Sequence, residues 1–98
     1  MNVAGAAAGG SAAAAAAAIA QAVKASGVVV RMEPQDFLRI VERQEEPLVV
    51  ASEGGFLGTT YHYLTSYKGL AFFTKSKREL ALPGDAEVVR AEKVWMPS

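Results

Sequence analysis

The sequence predicts an α+β fold, on the strength of three patterns within its 98 residues. Short β-branched runs bounded by Gly and Pro indicate buried strands. An amphipathic stretch that begins at Pro34 indicates a helix that packs on them, and a Lys-Gly pair between aromatic runs indicates a hairpin. We expect an Ala-rich helix in residues 1–26, followed at 27–98 by a compact domain with a mixed, mostly antiparallel sheet of about five strands and one packed amphipathic helix.

The N-terminal segment, residues 1–26, is rich in Ala and Gly, and its first charged residue is Lys24. Ala has the highest helix propensity, Ser11 suits an N-cap and Gly27 suits a stop, so a helix is predicted over 12–25. Small residues recur at every fourth position and would allow close helix packing: Gly5, Gly9, Ala13 and Ala17. This pattern favours a self-associating helix, and so a homo-oligomer, or a docked helix, with a membrane-associated helix and a mobile tail as the alternatives.

The folded part is predicted to begin with a buried strand at 28–32, a β-branched run that precedes a proline. A helix then covers 34–46, because Pro34 suits the first helical position and Pro47 ends the pattern. The stripe that faces the sheet consists of Phe37, Ile40, Val41 and Gln44. A second buried strand follows at 48–51. A strand, a helix and a strand within about 25 residues predict a right-handed βαβ crossover.

The glycine-rich stretch at 52–60 is predicted to be a loop, and a hairpin follows with strands at 61–67 and 70–74 about the turn Lys68-Gly69. This register places on one face Tyr63, Thr65, Tyr67, Leu70 and Phe72. The other face carries Leu64, Ala71 and Phe73, with His62 near Lys75 at its rim. Turns are expected at 75–78 and 83–85, and a last strand at 87–96.

Aromatic side chains in the hairpin region are the candidate partner-binding residues: Tyr61, Tyr63, Tyr67 and Phe72. Aromatic residues on an exposed sheet face are typical of protein interfaces. A sheet also presents such residues to its own core or to a helix that covers it. The sequence leaves both interpretations open.

Composition excludes several kinds of active site. Cysteine is absent and His62 is the only histidine, so thiol catalysis, disulfides and cysteine-ligated metals are excluded and a zinc site has few ligands. Proton transfer by His62 would need Glu53 as an orienting carboxylate. Glu53-Gly54-Gly55 with Gly58 could hold a phosphate on backbone N–H groups, but it matches no phosphate-loop pattern. We therefore expect no enzymatic activity, no catalytic residue, no cofactor and no metal.

We do not expect nucleic acid as a partner, because the charges of ten basic and ten acidic residues cancel. The segment 68–73 partly resembles the aromatic strand signature of RNA recognition motif domains, which begins with a basic residue, a glycine and an aromatic residue. Leu70 stands where that signature has its first aromatic residue, and Lys75 where it has its last. RNA binding is therefore only a lesser alternative.

The sequence as a whole predicts a non-enzymatic binding or assembly module. It would self-associate through its N-terminal helix and contact a protein partner through the Tyr-rich face of the hairpin. A small membrane-associated protein anchored by residues 1–26 is the first alternative, and an RNA-binding domain or small enzyme is a lesser one. A cytoplasmic location is expected, with membrane association as its alternative.

Overall fold

The structure of the chain is a computed structural model that describes residues 8–91 and 94–97. Its elements follow in the order α1 (Ala8–Ser26), β1 (Val29–Arg31), α2 (Pro34–Val41), β2 (Leu48–Gly55), β3 (Gly58–Tyr67), β4 (Leu70–Ser76) and β5 (Val88–Ala91). The five strands form one mixed sheet. The predicted α+β class is confirmed.

The strand order in the sheet is β1-β4-β3-β2-β5. The two inner pairings, β2 with β3 and β3 with β4, are antiparallel, while the two outer pairings, β1 with β4 and β2 with β5, are parallel. Strands β1 and β2 run in the same direction and are joined through α2, as in the predicted crossover, but they are not neighbours. The two short hairpins place β3 and β4 between them, so β1 pairs at the free edge of β4.

The hairpin of β3 and β4 has the predicted register, with Tyr67 opposite Leu70, Tyr63 opposite Thr74 and Leu64 opposite Phe73. Its turn residues Lys68 and Gly69 both have positive φ, 50° and 80°. Two successive positive φ values are the signature of a type I′ turn, whose twist matches that of the strands it joins. The turn chemistry therefore sets the register of the central strand pair.

Helix α1 covers one face of the sheet, which we call the α1 face. Its buried side chains are Ala16, Ala20 and Val23, and they pack on the sheet residues Val49, Leu64, Ala71 and Phe73. Alanine side chains are single methyl groups, so the helix backbone lies close to the sheet. Residues 94–96 complete this cluster at its margin. Because these side chains are small, they leave space between the helix and the neighbouring part of the chain.

Helix α2 covers the opposite face, which we call the α2 face. The buried residues of this cluster are Phe37, Val41, Leu48, Val50, Tyr63 and Phe72. Burial of a side chain as large as Phe37 is worth about 1.5–3 kcal/mol. Both faces of the sheet are thus closed by the chain's own helices.

Both helices differ from their predicted bounds. Helix α1 is already formed at Ala8, so Ser11 lies inside it and is not its N-cap. Its end is as predicted, because Gly27 has a φ of +74° and its N–H donates to the carbonyl of Lys24. Helix α2 ends at Val41, since the N–H groups of Arg43 and Gln44 bond three residues back and tighten the last turn.

The segment predicted as a loop at 52–60 is instead a paired hairpin. Strand β2 continues to Gly55 and β3 begins at Gly58, with Ser52 opposite Tyr61 and Glu53 opposite Thr60. The strands start in buried sheet, and their pairing continues outward although the added residues are polar or glycine. We call residues 52–61 the arm. The last strand covers Val88–Ala91, and residues 94–96, which were predicted to belong to it, are not strand.

Candidate functional site

A groove of about 540 Å³ opens between the C-terminal half of α1 and the turn that joins β3 to β4. Helix α1 supplies Ala18, Ile19, Ala22, Val23 and Ser26. The opposite wall consists of residues 45–47 and 66–71. Its volume is within the range of pockets that hold a compact ligand or an inserted side chain.

The groove exists because small residues face a projecting turn. Ile19 and Val23 are the only large apolar residues that α1 contributes to it. On the other wall Leu70 follows the turn, and 42% of it remains exposed. An apolar residue left half-exposed at the edge of an apolar groove is a place where a further apolar group can be buried.

The rim of the groove is polar and more acidic than basic. Glu45, Glu46 and Lys68 line it. The hydroxyl of Ser66 donates to the carboxylate of Glu46, which fixes that carboxylate at the edge. The ammonium of Lys68 lies 5.5 Å from the ring centre of Tyr67, as in a cation–π contact. An apolar floor with an acidic rim suits an apolar group that is flanked by cations.

The four predicted partner-binding aromatics do not share one exposed surface. Tyr63 and Phe72 belong to the buried cluster beneath α2, and the ring of Tyr63 lies 6.0 Å from that of Phe37. Tyr61 and Tyr67 are half-buried at the margin of this cluster. Tyr67 alone also lines the groove. The sequence could not indicate this division, because it does not show which face α2 covers.

The oxygen of Tyr63 has a structural role. It accepts a hydrogen bond from the backbone N–H of Leu80 at 2.9 Å. Burial raises the pKa of the Tyr63 phenol. The hydrogen bond from Leu80 lowers this pKa and so partly offsets the rise. This side chain therefore ties the segment after β4 to the sheet.

Of the predicted helix-packing residues, Ala17 can be placed and is exposed on α1. Gly5 lies outside the described residues, and the surroundings of Gly9 and Ala13 are likewise outside the description. The outward surface of α1 carries Ala14, Ala15, Ala17, Ala18, Gln21 and Ala22. It has no charge until Lys24, whose ammonium lies 5.9 Å from the ring centre of Trp95. No helix of the described residues is long and apolar enough to cross a membrane.

His62 and Glu53 are brought together, because the arm is a strand pair rather than a loop. The Nε2 atom of His62 lies 3.5 Å from an oxygen of Glu53. The Nδ1 atom of His62 is buried without a hydrogen-bond partner in the described part of the chain, and its ring lies 6.0 Å from that of Phe73. Neither residue lines the groove. Within residues 8–91 and 94–97, no three His, Asp or Glu side chains are grouped to hold a metal.

The tip of the arm is a feature that the sequence analysis missed. Phe56 and Leu57 form its two-residue turn and are 102% and 87% exposed. Cations lie beside the arm, since the ammonium of Lys77 donates to the Thr60 hydroxyl at 2.8 Å and Lys75 is opposite His62. An apolar pair flanked by glycines in a polar stretch was the signal that could have revealed it.

Comparison of the chain with protein-family models, with curated proteins and with solved structures gives no match. What the protein does has therefore to be inferred from its own geometry. The groove and the tip of the arm are the two features from which that inference starts.

Proposed function

We propose that the protein is a non-enzymatic assembly module that self-associates through the surface formed by α1 and the groove. The observation that carries this proposal is the outward surface of α1 beside an unfilled apolar groove. Charged residues make up 20% of the chain, yet none occurs before Lys24. A surface helix whose only charged residue lies in its last turn is unusual for a domain whose other surfaces are charged, and it is typical of a helix that packs against a partner.

Small side chains suit this role for a geometric reason. Small helix side chains let the backbone of a partner approach α1 closely, so that many weak contacts form across this surface. Ile19 and Leu70 add larger apolar groups at the groove. A few large side chains of this kind usually supply most of the binding energy of an interface. Tyr67 is the member of the predicted aromatic set that borders this surface.

The test uses the full chain, because α1 contributes Ala16, Ala20 and Val23 to the core. Removal of α1 would expose that core and create association of its own. We choose Ala22→Arg, which places a long cation in the groove at an exposed helical position. Arg has a high helix propensity, so α1 should be retained.

The matched control is Gln35→Arg, which adds the same cation at an exposed position of α2. Light scattering over a range of concentrations measures the mass of each variant. We expect the unmodified chain and Gln35→Arg to form oligomers, and Ala22→Arg to need at least about ten-fold higher concentration, which corresponds to about 1.4 kcal/mol. A monomeric unmodified chain at every concentration would refute the proposal.

A further inference from the structure

The tip of the arm and the groove lie at opposite ends of the sheet. Strand β3 connects them, since it begins at Gly58 beside the tip and ends at Tyr67 beside the groove. Ten residues of extended strand span roughly 30 Å. The tip therefore cannot enter the groove of its own chain. A tip and a groove can therefore meet only when they belong to two different copies of the chain.

We propose that the tip of the arm of one copy inserts into the groove of the next, so that the protein assembles head to tail. The inserted group is Phe56 with Leu57, which are almost entirely exposed in the single chain. The receiving walls are formed by Ala18, Ile19, Ala22 and Leu70. The inference rests on the self-association proposed above and specifies which surfaces meet.

Charge supports this pairing of unlike ends. Two cations lie beside the arm, since Lys77 donates to Thr60 and Lys75 is opposite His62 at its base; the arm itself carries the carboxylate Glu53. The groove rim has Glu45 and Glu46 against the single cation Lys68. A head-to-tail contact brings a basic end to an acidic rim. A contact between two tips or between two grooves would bring like charges together, which is unfavourable.

The pairing of two different surfaces has a consequence for the assembly. A contact between identical patches closes as a two-fold dimer, whereas a contact between different patches is repeated by each added copy. Each molecule in the chain of copies offers one free tip and one free groove. Such an assembly grows into a ring or a filament, and its mean mass rises with concentration.

An anionic membrane is the competing occupant of the tip. Apolar residues beside cations also suit a lipid surface. That occupant would leave the groove unfilled and would not account for its acidic rim. The groove of a second copy accounts for the apolar tip, the adjacent cations and the rim in one contact.

A mixing experiment tests the head-to-tail contact. The tip variant carries Phe56→Ser and Leu57→Ser, and the groove variant carries Ala22→Arg. Both changes lie at exposed positions, and circular dichroism checks that each variant keeps the fold. We expect the tip variant to associate at least about 100-fold more weakly, because two large apolar side chains are lost from the contact. The groove variant should associate at least about ten-fold more weakly, because a cation occupies the groove. Each variant alone should therefore be monomeric at a concentration just sufficient for the unmodified chain to assemble.

A mixture of the two variants should form a heterodimer and nothing larger. The tip variant retains an intact groove and the groove variant retains an intact tip, so one contact can form and growth then stops. Analytical ultracentrifugation distinguishes this dimer from both monomers. A mixture with Gln35→Arg in place of the groove variant should still form larger assemblies, because that control keeps both surfaces.

The outcomes separate the two proposals. A tip variant that assembles like the unmodified chain would overturn the head-to-tail contact and leave self-association through α1 in place. A mixture that remains monomeric would also overturn it. A monomeric unmodified chain would refute both proposals. Sedimentation with vesicles of phosphatidylserine and phosphatidylcholine covers the competing occupant: tip-dependent binding by a monomeric chain would assign the tip to a membrane and reject the inference.

Discussion

Gln44 forms two hydrogen bonds with the backbone of Glu87, which is 43 residues away in the sequence. Its side-chain nitrogen donates to the Glu87 carbonyl at 2.7 Å, and its side-chain oxygen accepts from the Glu87 N–H at 2.9 Å. Glu87 immediately precedes β5, and its carbonyl also accepts from the N–H of Leu48 at the start of β2. A single amide therefore joins the turn that follows α2 to the place where the parallel pair of β2 and β5 begins.

The first prediction concerns this amide. Gln44→Ala should lower the free energy of unfolding by about 1 kcal/mol, because two partly exposed hydrogen bonds are lost and water replaces only part of them. The matched control is Gln35→Ala, at an exposed position of α2, where the change should be smaller than about 0.5 kcal/mol. Urea unfolding followed by circular dichroism measures both. Equal effects for the two variants would show that the bonds to Glu87 add nothing to stability.

The second prediction concerns the buried phenol of Tyr63. Tyr63→Phe leaves the Leu80 N–H without its acceptor. It should therefore lower the free energy of unfolding by about 1–2 kcal/mol near neutral pH.

Because burial raises the Tyr63 pKa above 10.0, the phenol binds its proton more tightly in the folded chain than in the unfolded chain. This pKa difference contributes fully to the free energy of unfolding below pH 10.0. The contribution is lost as the pH rises through the pKa of the folded chain. The difference in unfolding free energy between the unmodified chain and Tyr63→Phe should therefore shrink above pH 10.0. A constant difference from neutral to strongly alkaline pH would contradict this assignment.

Local patterns in the sequence were sufficient to predict much of the fold. The Lys68-Gly69 turn determines the register of β3 and β4, and Pro34 marks the start of α2. Strand order was not predictable in the same way, because the positions of β1 and β5 depend on which edges the hairpins leave open. The arm was missed since residues such as Glu53 and Gly54 are poor strand formers, and their strand conformation depends on pairing that begins at Leu48.

The candidate site was less predictable than the fold. The absence of charge before Lys24 did indicate a helix with an unusual surface. The groove, however, is a space between α1, residues 45–47 and the hairpin turn, and no local pattern specifies a space. The division of the aromatic set follows from α2, whose Phe37 packs on Tyr63 and leaves Tyr67 at the groove.

The third prediction tests the close approach of α1 to the sheet. Ala20 is 1% exposed, so Ala20→Leu adds three carbon atoms where the core has no room, and overpacking of this kind costs about 1–3 kcal/mol. Ala17→Leu makes the same change in the same helix at an exposed position and should leave stability within about 0.5 kcal/mol. Thermal unfolding at low protein concentration compares the two. Similar stability of both variants would mean that α1 does not pack closely on the sheet.

The fourth prediction contrasts two glycines that differ in backbone conformation. Gly69 has a φ of +80°, and Gly69→Ala should destabilise the protein by about 1–2 kcal/mol although no atom beyond the two neighbouring residues lies within 4 Å of the added methyl group. The strain is in the backbone, because an L-residue tolerates this conformation poorly.

Gly54 also has open space around it, but its φ lies outside the positive region. Gly54→Ala should therefore be neutral or stabilise the protein by up to about 1 kcal/mol, since it restricts the unfolded chain without strain in the folded one. Urea unfolding of both variants measures the contrast. Equal shifts in stability for both substitutions would contradict this prediction. They would mean that the positive φ of Gly69 is not the reason why the Lys68-Gly69 turn needs glycine.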